Sequence, residues 1–384
     1  MTQRNAIVVG GGIGGLTAAS ALARQGWRVQ LHERQPEIRA VGAGIYIWDN
    51  GLFALDAVHA YSEAIEGAHE PPSIDMRGQS GKTLMRIKIN GESQPRCLTL
   101  LRDQLIKALV NAAKDAGVEL VTNSSVVAVR PEGEVHFEHG DHSTTDLVVV
   151  ADGVHSRLRD SVDLSYSRIR MSQGAARIMI PQSSHELPAE DRGRILESFH
   201  GSRRLLYTPC TPELVYLAFT CDSDDPAISG AYINTSEWSR SFPTLSDALR
   251  ATEGVPATRW DTFEYVRLAS WSRGKVAFLG DAAHAQPPYL GQGGGTAMTN
   301  AIALANAVSS DMELSEALAT WERITRPGIE STQRTSYQQR LLNYVPDRVR
   351  NPLVRIAGLT SNVAKSQLKA TEIRPTLGST GGSR

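Results

Sequence analysis

The hydrophobic pattern near the N-terminus predicts a strand, a turn, a helix and a second strand. Residues 6–9 (AIVV) form a fully apolar run, which is typical of a strand buried on both faces of a parallel sheet. A glycine run, GGGIGG, comes next, and the following LTAASALARQG carries apolar residues at helical spacing. In WRVQLHER, Val29 and Leu31 alternate with polar residues, as in a half-buried strand that ends in an acid.

Two later stretches also place an acid after an apolar strand. KVAFLG (residues 275–280) predicts a strand, which is followed by Asp281, a stiffening proline pair, four glycines and the helical run TAMTNAIALANAV. DLVVV (residues 146–150) predicts another buried strand, followed by Asp152, Gly153 and an arginine-rich turn. Ligands of open α/β sheets collect at the carboxyl ends of the strands, so both acids are candidate ligand-binding residues.

The middle of the chain predicts strands, and the C-terminal part predicts helices. MRIKIN, AARIMI, RRLLYT and ELVYLAF are β-like runs bounded by Pro, Gly and Asp. Residues 336–372 predict a helical segment of mixed charge, interrupted at Pro346 and Pro352. An arginine-rich amphipathic helix can lie on a membrane, but we expect the commoner case of a packed surface helix. We expect residues 373–384, which are small and polar, to be disordered.

Composition narrows the class of protein. The chain has 384 residues, 41% of them hydrophobic, which suits two domains or one domain with a large insertion. Its net charge of −1 gives no reason to expect nucleic acid or a membrane as a partner. Three cysteines without CxxC spacing fit a reducing compartment, and we expect a cytoplasmic protein without a signal peptide or membrane span. The ten histidines lack metal-ligand spacing, so we expect no metal.

The first glycine run has the spacing of a dinucleotide-binding turn. Gly10, Gly12 and Gly15 fit G-x-G-x-x-G, and Glu33 lies 23 residues after Gly10. In such a turn the first glycine permits the bend, the second lets the backbone approach a pyrophosphate, and the third lets helix and strand pack closely. The helix N-terminus then offers free amides to the phosphates, and the acid accepts from ribose hydroxyls. The pattern alone does not distinguish NAD from FAD.

The second glycine run favours FAD. Asp281 stands at the end of its strand, where a carboxylate can hold a ribityl hydroxyl. Residues 291–295 bring bare backbone close to a flat or anionic group and begin a helix. We therefore predict that both runs serve one cofactor, with the first run at the pyrophosphate and the second at the isoalloxazine ring.

Three motifs together resemble those of the flavin-dependent (group A) aromatic hydroxylases of the para-hydroxybenzoate hydroxylase type: GGGIGG, VADGVHSRLR and GDAAHAQPPYLGQGGG. Their order and spacing match that family over most of the chain. ERQPEIRAVGAGIYIWDNGL and RRLLYTPCTPELVYL are similar to its pyridine-ring oxygenase branch, that of 2-methyl-3-hydroxypyridine-5-carboxylate oxygenase, which also shares Asn300 in place of the usual acid. Ile74 departs from the branch, which has a tyrosine of the substrate pocket there.

The resemblance implies an α/β fold of three parts. A Rossmann-like FAD-binding domain of the GR2 type is expected over residues 1–69, 98–169 and 270–335. A strand-rich substrate domain is inserted over residues 70–97 and 170–269, and the C-terminal helical segment follows.

The resemblance also implies the reaction. NAD(P)H reduces FAD, O2 adds to make a C4a-hydroperoxide, and its distal oxygen passes to a hydroxylated aromatic or pyridine-type ring, with or without ring opening. The expected substrate is small, aromatic and anionic, and the expected assembly is a monomer or homodimer.

Site residues follow from the same resemblance. Arg177, Arg204 and Tyr216 are predicted to hold and activate the substrate, although a solvent-exposed arginine and a core tyrosine are the ordinary alternatives on strands. The predicted substrate-pocket residues are Tyr46, Trp48, Ile74 and Pro288. The predicted FAD-binding residues are Gly10, Gly12, Ile13, Gly14, Gly15, Glu33, Arg34, Arg39, Gly44, Arg102, Val126, Asp152, Asp281, Pro288, Gly293, Gly294 and Gly295. His284 is expected to be structural and not a catalytic base.

Other functions stay open at this point. A simple phenolic hydroxylase of the salicylate or hydroxybenzoate type would carry the same motifs. A non-hydroxylating FAD reductase or a dinucleotide-binding module is less favoured, because a binding module would not need the second and third motifs. An FAD halogenase typically carries a Trp-x-Trp pair, whereas no two of the six tryptophans stand two apart.

Overall fold

A computed structural model describes residues 3–39, 43–229, 232–257, 260–359 and 368–372. The strands in this part of the chain are β1 (Asn5–Val9), β2 (Arg28–His32), β3 (Gly44–Trp48), β4 (Ser73–Arg77), β5 (Thr83–Lys88), β6 (Cys97–Leu101), β7 (Glu119–Val121), β8 (Val126–Val129), β9 (Glu134–Phe137), β10 (His142–Thr144), β11 (Leu147–Val150), β12 (Tyr166–Pro181), β13 (Ile195–His200), β14 (Arg203–Pro209), β15 (Leu214–Asp222), β16 (Ile228–Ser229), β17 (Tyr232–Ile233), β18 (Asp261–Leu268), β19 (Ser272–Arg273) and β20 (Val276–Phe278).

Helices connect these strands and close the chain. The α-helices are α1 (Ile13–Arg24), α2 (Asp49–Ala57), α3 (Tyr61–Ala64), α4 (Arg102–Asp115), α5 (Leu158–Ser161), α6 (Thr235–Ser241), α7 (Ser246–Arg250), α8 (Asp281–His284), α9 (Gly293–Val308), α10 (Leu314–Gln339) and α11 (Asp347–Gly358). Short 3₁₀ turns lie at Gln182–Ser184, Ala189–Asp191, Pro243–Leu245, Pro288–Leu290, Arg340–Asn343 and Lys369–Glu372.

A six-stranded sheet in the order β19-β20-β11-β1-β2-β7 forms the centre of the nucleotide-binding half. Its strands are parallel except for the β19–β20 pair at one edge. The apolar runs of β1 and β11 are buried throughout except for Asn5, because helices cover the sheet. The predicted strand–turn–helix–strand unit is confirmed as β1, α1 and β2, which is the Rossmann-like arrangement.

A seven-stranded sheet in the order β18-β12-β15-β14-β13-β4-β5 forms the other half, and we call it the roof. All its pairs are antiparallel except β13–β4. One face packs with Trp238 and Leu249 of α6 and α7 in an apolar core. The opposite face carries Tyr216, Ala218 and Met179, which cluster with Tyr46 of β3. The roof therefore lies over the nucleotide-binding half, as the fold expectation required.

The predicted strands of the middle region are all present. MRIKIN, AARIMI, RRLLYT and ELVYLAF fall in or overlap β5, β12, β14 and β15. β12 begins at Tyr166, a few residues before the predicted start of the substrate domain at residue 170, and the exact domain limits stay a prediction. Two smaller pairs, β3–β6 and β16–β17, and a β8–β9–β10 sheet complete the strands of the described residues.

The helical C-terminal segment is confirmed. α10 continues through Pro327 to Gln339, past the predicted boundary at residue 335, and α11 follows. The tail predicted to be disordered, residues 373–384, lies outside the described residues. None of the helices described is long and apolar enough to cross a bilayer.

Candidate active site

The glycines of the first run have different physical roles. Gly10 has φ +104°, and a methyl group there would lie 2.6 Å from the carbonyl oxygen of Ala151. A methyl group at Gly15 would collide with the Gly10 carbonyl oxygen, so this position permits the close approach of α1 to β1. At Gly12, by contrast, a methyl group would meet no atom within 4 Å. The second glycine of the motif therefore faces open space at the N-terminus of α1.

A cleft of about 490 Å³ lies beside this turn. It brings together five predicted FAD-binding residues from four separate stretches of sequence: Gly10, Glu33, Arg34, Val126 and Asp152. Glu33 is fixed by its own neighbours, because its carboxylate accepts from the backbone amides of Gly11 at 2.7 Å and Gln35 at 2.9 Å.

Sequence reasoning missed several residues that line this cleft. His32 and Ser124 form a 2.8 Å hydrogen bond at its edge, and His155 and Arg157 line it from the turn after β11. His32 is the last residue of β2, so its position at a strand end was a usable signal. Ser124 stands in a loop and carries no such signal.

The second glycine run meets the first. A methyl group at Gly14 of α1 would lie 2.8 Å from Leu279 Cδ1 and 3.4 Å from the Cβ of Ala297 in α9. A methyl group at Gly294 would lie 3.3 Å from Ile45 and 3.7 Å from Ile13. The N-termini of α1 and α9 therefore lie side by side, and within these two described helices no side chain caps either N-terminus and no acid occupies the first turn. Both present backbone amides and a positive dipole end to one region.

Two carboxylates border this region. Asp281 is exposed on one side, but protein surrounds its carboxyl on the other sides, and this desolvation raises its pKa, against the effect of Arg102 and Arg159. Burial likewise raises the pKa of Asp152, and one of its oxygens, Oδ1, is buried without a partner among the described residues. A buried acceptor of this kind suits a ligand hydroxyl.

These features fit FAD. The open space at Gly12, the two uncapped helix ends and the unpartnered Asp152 oxygen match a cofactor that carries a pyrophosphate and hydroxyl groups. Gly293 also leaves open space, since a methyl group there would meet nothing within 4 Å.

The remaining predicted FAD-binding residues occupy varied positions. Arg39 is exposed, and Gly44 begins β3. Arg102 begins α4, where its amide donates to the Ala43 carbonyl at 3.0 Å and its charge acts on Asp281. The role of each individual residue in binding stays a prediction.

The three predicted catalytic side chains share one face of the roof. Tyr216 pairs with Met179 and Thr208, and Arg204 pairs with Thr220, which stands four residues after Tyr216 on β15. Arg177 of β12 pairs with Ala218, the residue midway between them on the same face. Since side chains alternate along a strand, Arg177, Tyr216 and Arg204 all point to the side opposite the Trp238 core.

Arg177 and Tyr216 form one group on this face. Tyr216 is buried and hydrogen-bonded to Arg177, which also forms an ion pair with Asp261 of β18. Burial raises the pKa of the Tyr216 phenol, and the Arg177 charge acts in the opposite direction. The phenol is therefore protonated at neutral pH and is available as a hydrogen-bond donor.

Arg204 belongs to a second group, separate from the first. Its guanidinium forms an ion pair with Glu197 of β13, and both side chains are only 11% exposed. It also lies over the ring of Tyr289, with Cζ 4.9 Å from the ring centre, and near Phe199 at 5.5 Å. Sequence reasoning missed the two counter-ions, Glu197 and Asp261.

The predicted pocket residues of β3 lie between the second glycine run and the roof. The Tyr46 hydroxyl hydrogen-bonds to Thr208 of the roof. A methyl group at Gly291, where φ is +61°, would lie 3.2 Å from Tyr46 Cβ and 3.5 Å from Trp48 Nε1. The indole nitrogen of Trp48 is buried with no partner in the described part of the chain. Tyr46 and Trp48 thus border the space where cofactor and substrate would meet.

The other predicted pocket residues are more peripheral. Ile74 is half buried and pairs with Ile87 and Ile195 in the roof. Pro288 is exposed at the start of a 3₁₀ turn. Its neighbour Tyr289, which was not predicted, is the residue that reaches Arg204.

His284 is part of the core. Its Nε2 lies 2.9 Å from Asn300 Nδ2, and the Asn300 oxygen accepts from the indole of Trp321 at 2.8 Å. Burial lowers the pKa of His284 to about 4, so the imidazole is neutral at ordinary pH. These contacts give it a packing role, as expected.

The nucleotide-binding sheet, the paired glycine turns and the roof define an FAD-dependent aromatic-ring monooxygenase, which uses NAD(P)H and O2. The sequence profile described as the FAD binding domain matches residues 3–332, and the chain belongs to this family.

Comparison with known proteins refines the family placement. The chain is 52% identical to the 2-heptyl-3-hydroxy-4(1H)-quinolone synthase of Mycobacteroides abscessus, over 96% of this chain and 98% of that protein. It is 29% identical to the 6-hydroxynicotinate 3-monooxygenase of Bordetella bronchiseptica, over 77% and 80% of the two chains. The crystal structure of 2-methyl-3-hydroxypyridine-5-carboxylic acid oxygenase superposes with a TM-score of 0.87 at 34% identity, covering 97% of this chain and 98% of the other. The resemblance to the hydroxylase family is confirmed.

Proposed function

We propose that this protein hydroxylates C3 of a 2-alkyl-4(1H)-quinolone and leaves the ring closed. The observation that carries the proposal is that both roof arginines already have acidic partners, Arg177 with Asp261 and Arg204 with Glu197. A substrate carboxylate would have to compete with these carboxylates for each guanidinium, whereas a neutral ring would not. The roof thus favours a neutral heteroaromatic substrate over the anion expected from the sequence.

The surface between the two arginine groups supports the same substrate class. Met179, Ala218 and Leu206 lie there on the face of the roof opposite the Trp238 core, and they cluster with Tyr46. Ile74 stands where the pyridine branch has a tyrosine, and it packs among other isoleucines. An apolar surface of this kind suits an alkylated bicyclic ring better than a small hydroxypyridine carboxylate.

The similarity to the Mycobacteroides abscessus synthase identifies the position of oxygen insertion that we propose. A 3-hydroxy-4(1H)-quinolone arises when oxygen is added at C3 of the corresponding quinolone. That carbon is electron-rich, because the ring nitrogen donates through the C2–C3 double bond. FAD, when bound, supplies the oxygen-transfer chemistry.

The protein's own groups position and polarise the substrate. A protonated Tyr216 can donate a hydrogen bond to a ring oxygen, and Arg177 holds that phenol in place. In this proposal, the packing of the roof against Tyr46 of β3 limits the access of water to the reacting ring. Tyr216→Phe removes the donor and keeps the ring, so we expect substrate binding with a larger share of NAD(P)H consumed without product.

A substrate panel tests the proposal. Purified FAD-loaded protein is assayed for NADH and NADPH oxidation with 2-heptyl-4(1H)-quinolone, 2-methyl-3-hydroxypyridine-5-carboxylate, salicylate and 3-hydroxybenzoate, and products are identified by mass spectrometry. We expect the quinolone to stimulate oxidation and to gain one oxygen atom with its ring intact. Stimulation by a carboxylate alone, or a ring-opened product, would overturn the proposal.

A variant separates charge from shape. Asp261→Asn removes the carboxylate that pairs with Arg177 but keeps a side chain of the same size at position 261. We expect this variant to gain stimulation by the carboxylates relative to the quinolone. Arg240→Gln, which breaks an exposed ion pair with Glu237 on α6, is the matched control and should leave the ratio unchanged.

A further inference from the structure

α11 presents an apolar surface to solvent. Val349, Leu353, Ile356 and Leu359 are 46%, 57%, 61% and 82% exposed, and we call them the α11 stripe. Their spacing places them on one side of the helix. The expectation of an ordinary packed surface helix does not explain why its largest apolar residues face outward.

The inward side of α11 is already occupied. Arg350 is buried, and its Nη1 donates to the carbonyls of Gly201 at 2.8 Å and Leu342 at 3.1 Å. Val354 is also buried, and Gly358 lies against Met85 of β5, where a methyl group would come within 3.0 Å. The helix is therefore fixed to the edge of the roof by one side, and the stripe faces away from that edge.

The charges of the outer surface are all positive. Arg348 and Arg355 are exposed and stand seven residues apart, so they line one flank of the stripe. Neither forms an ion pair with a residue that the structure describes. Asp347, the acid of this helix, is bound to Arg350 and His200. An apolar stripe with an arginine flank is the pattern of helices that lie in the plane of an anionic membrane surface.

α11 also lies close to the substrate side of the roof. The ring of Phe199 has Arg350 Cζ at 5.1 Å and Arg204 Cζ at 5.5 Å. Two side chains thus connect the inward side of the helix to the buried Arg204–Glu197 pair.

We propose that α11 docks this enzyme on the surface of an anionic lipid bilayer, with the stripe among the acyl chains and Arg348 and Arg355 at the headgroups. A second copy of the chain fits less well. Four side chains offer far less than the ~800 Å² per partner of a typical stable interface, and a two-fold contact would bring the same arginines together. Docking does not depend on the quinolone assignment. Only its consequence rests on the proposed function: an alkylated quinolone dissolved in the bilayer would be available beside the roof.

Vesicle flotation tests the docking. Full-length FAD-loaded protein is mixed with vesicles of phosphatidylcholine alone, or of phosphatidylcholine and phosphatidylglycerol. We expect the wild type to bind the anionic vesicles. The affinity for these vesicles should fall about tenfold in the double variant Leu353→Ser with Ile356→Ser. It should fall severalfold in the double variant Arg348→Gln with Arg355→Gln, and also at high salt. Ile324→Ser on α10 is the matched control, since Ile324 is 55% exposed, and it should bind like the wild type.

The proposal would be overturned by no binding of the wild type, or by an equal loss of binding in the Ile324→Ser control. A smaller assembly of the stripe variant without lipid would also overturn it, because the stripe would then be a contact between copies. A fluorescent label at Leu353→Cys adds a further check, because Cys97, Cys210 and Cys221 are buried and would not react. The label should report water before vesicles are added and an apolar environment afterwards. A label that is shielded from the start would show that the chain itself covers the stripe, and the proposal would fail.

Discussion

Removing the Arg204 side chain should destabilise the folded protein as well as any substrate complex. Arg204 and Glu197 are an ion pair with 11% exposure on each side chain, within a wall that includes Phe199 and Tyr289. Arg204→Met keeps much of the volume but leaves the Glu197 carboxylate buried without its partner. Breaking a buried pair from one side costs about 3–5 kcal/mol of unfolding free energy. That is a large part of the ~5–15 kcal/mol that stabilises a typical domain.

The loss of unfolding free energy in Arg204→Met should be smaller at lower pH. Burial already raises the pKa of Glu197, and Arg204 acts against this effect, so Arg204→Met should raise the pKa further. A carboxyl whose pKa is higher in the folded state binds a proton more tightly there than in the unfolded chain. The folded variant therefore gains stability as pH falls from the raised folded value toward the ordinary value of ~4.3. The difference in unfolding free energy between the wild type and Arg204→Met should be largest at pH 8 and smaller at pH 6.

Urea denaturation followed by tryptophan fluorescence measures the effect at both pH values, with FAD removed so that cofactor binding does not contribute. The double variant Glu197→Gln with Arg204→Met should recover most of the loss, because the buried charge is gone. Arg240→Met, from a pair that is mostly exposed at the arginine, should change stability by less than ~1 kcal/mol.

A loss of unfolding free energy below ~1 kcal/mol at pH 8 would contradict the prediction for Arg204→Met. So would a full loss that is reduced neither at pH 6 nor by adding Glu197→Gln. If the prediction holds, weak substrate turnover by Arg204→Ala alone is not evidence of a substrate contact. The double variant, in which no buried charge is left unpaired, is then the proper test of the predicted substrate role of Arg204.

Two further predictions concern the cofactor turn and the core. Gly12→Val should leave the stability of the FAD-free protein unchanged, because φ is −80° and the new side chain meets open space, but it should reduce the bound FAD, measured by absorbance, to a small fraction. Gly15→Ala should instead lower the stability of the FAD-free protein. Full FAD occupancy in Gly12→Val would contradict the placement of the pyrophosphate at this turn. Burial lowers the pKa of His284 to about 4 in the folded protein. As pH falls below ~6.5, the imidazole is therefore protonated in the unfolded chain but not in the folded protein. About 2 kcal/mol of unfolding free energy should be lost between pH 7 and pH 5 for this reason. His284→Gln should lose that share of the pH dependence in urea denaturation, whatever its absolute stability, and an unchanged slope would show that the histidine titrates normally.

The cofactor half could be predicted from sequence because its signals are local. Gly10, Gly12 and Gly15 stand within one short turn, the strand before them ends in the continuous apolar run of residues 6–9, and the strand after α1 alternates apolar and polar residues. Even the meeting of the two glycine runs follows from a general rule, since both turns come at the carboxyl ends of parallel strands. The structure adds the distances between Gly14 and α9 but does not change that prediction.

The substrate half could be predicted only in part, because its chemistry depends on strand register. Alternation along β12, β14 and β15 is enough to expect that Arg177, Arg204 and Tyr216 share a face. It does not reveal that Asp261 stands beside Arg177 or Glu197 beside Arg204, since those acids are on other strands. An expectation of substrate charge that counts only the arginines is therefore incomplete.

The two halves of the site thus impose different kinds of selectivity. Around the cofactor, the predicted binding features are backbone amides, open space at Gly12 and carboxylates such as Asp152, and none of them depends on the substrate. In the roof, each arginine has an acidic partner, and under the proposed function substrate charge is therefore not the basis of selection. What remains is the shape of an apolar surface and the Tyr216 hydroxyl as a hydrogen-bond donor.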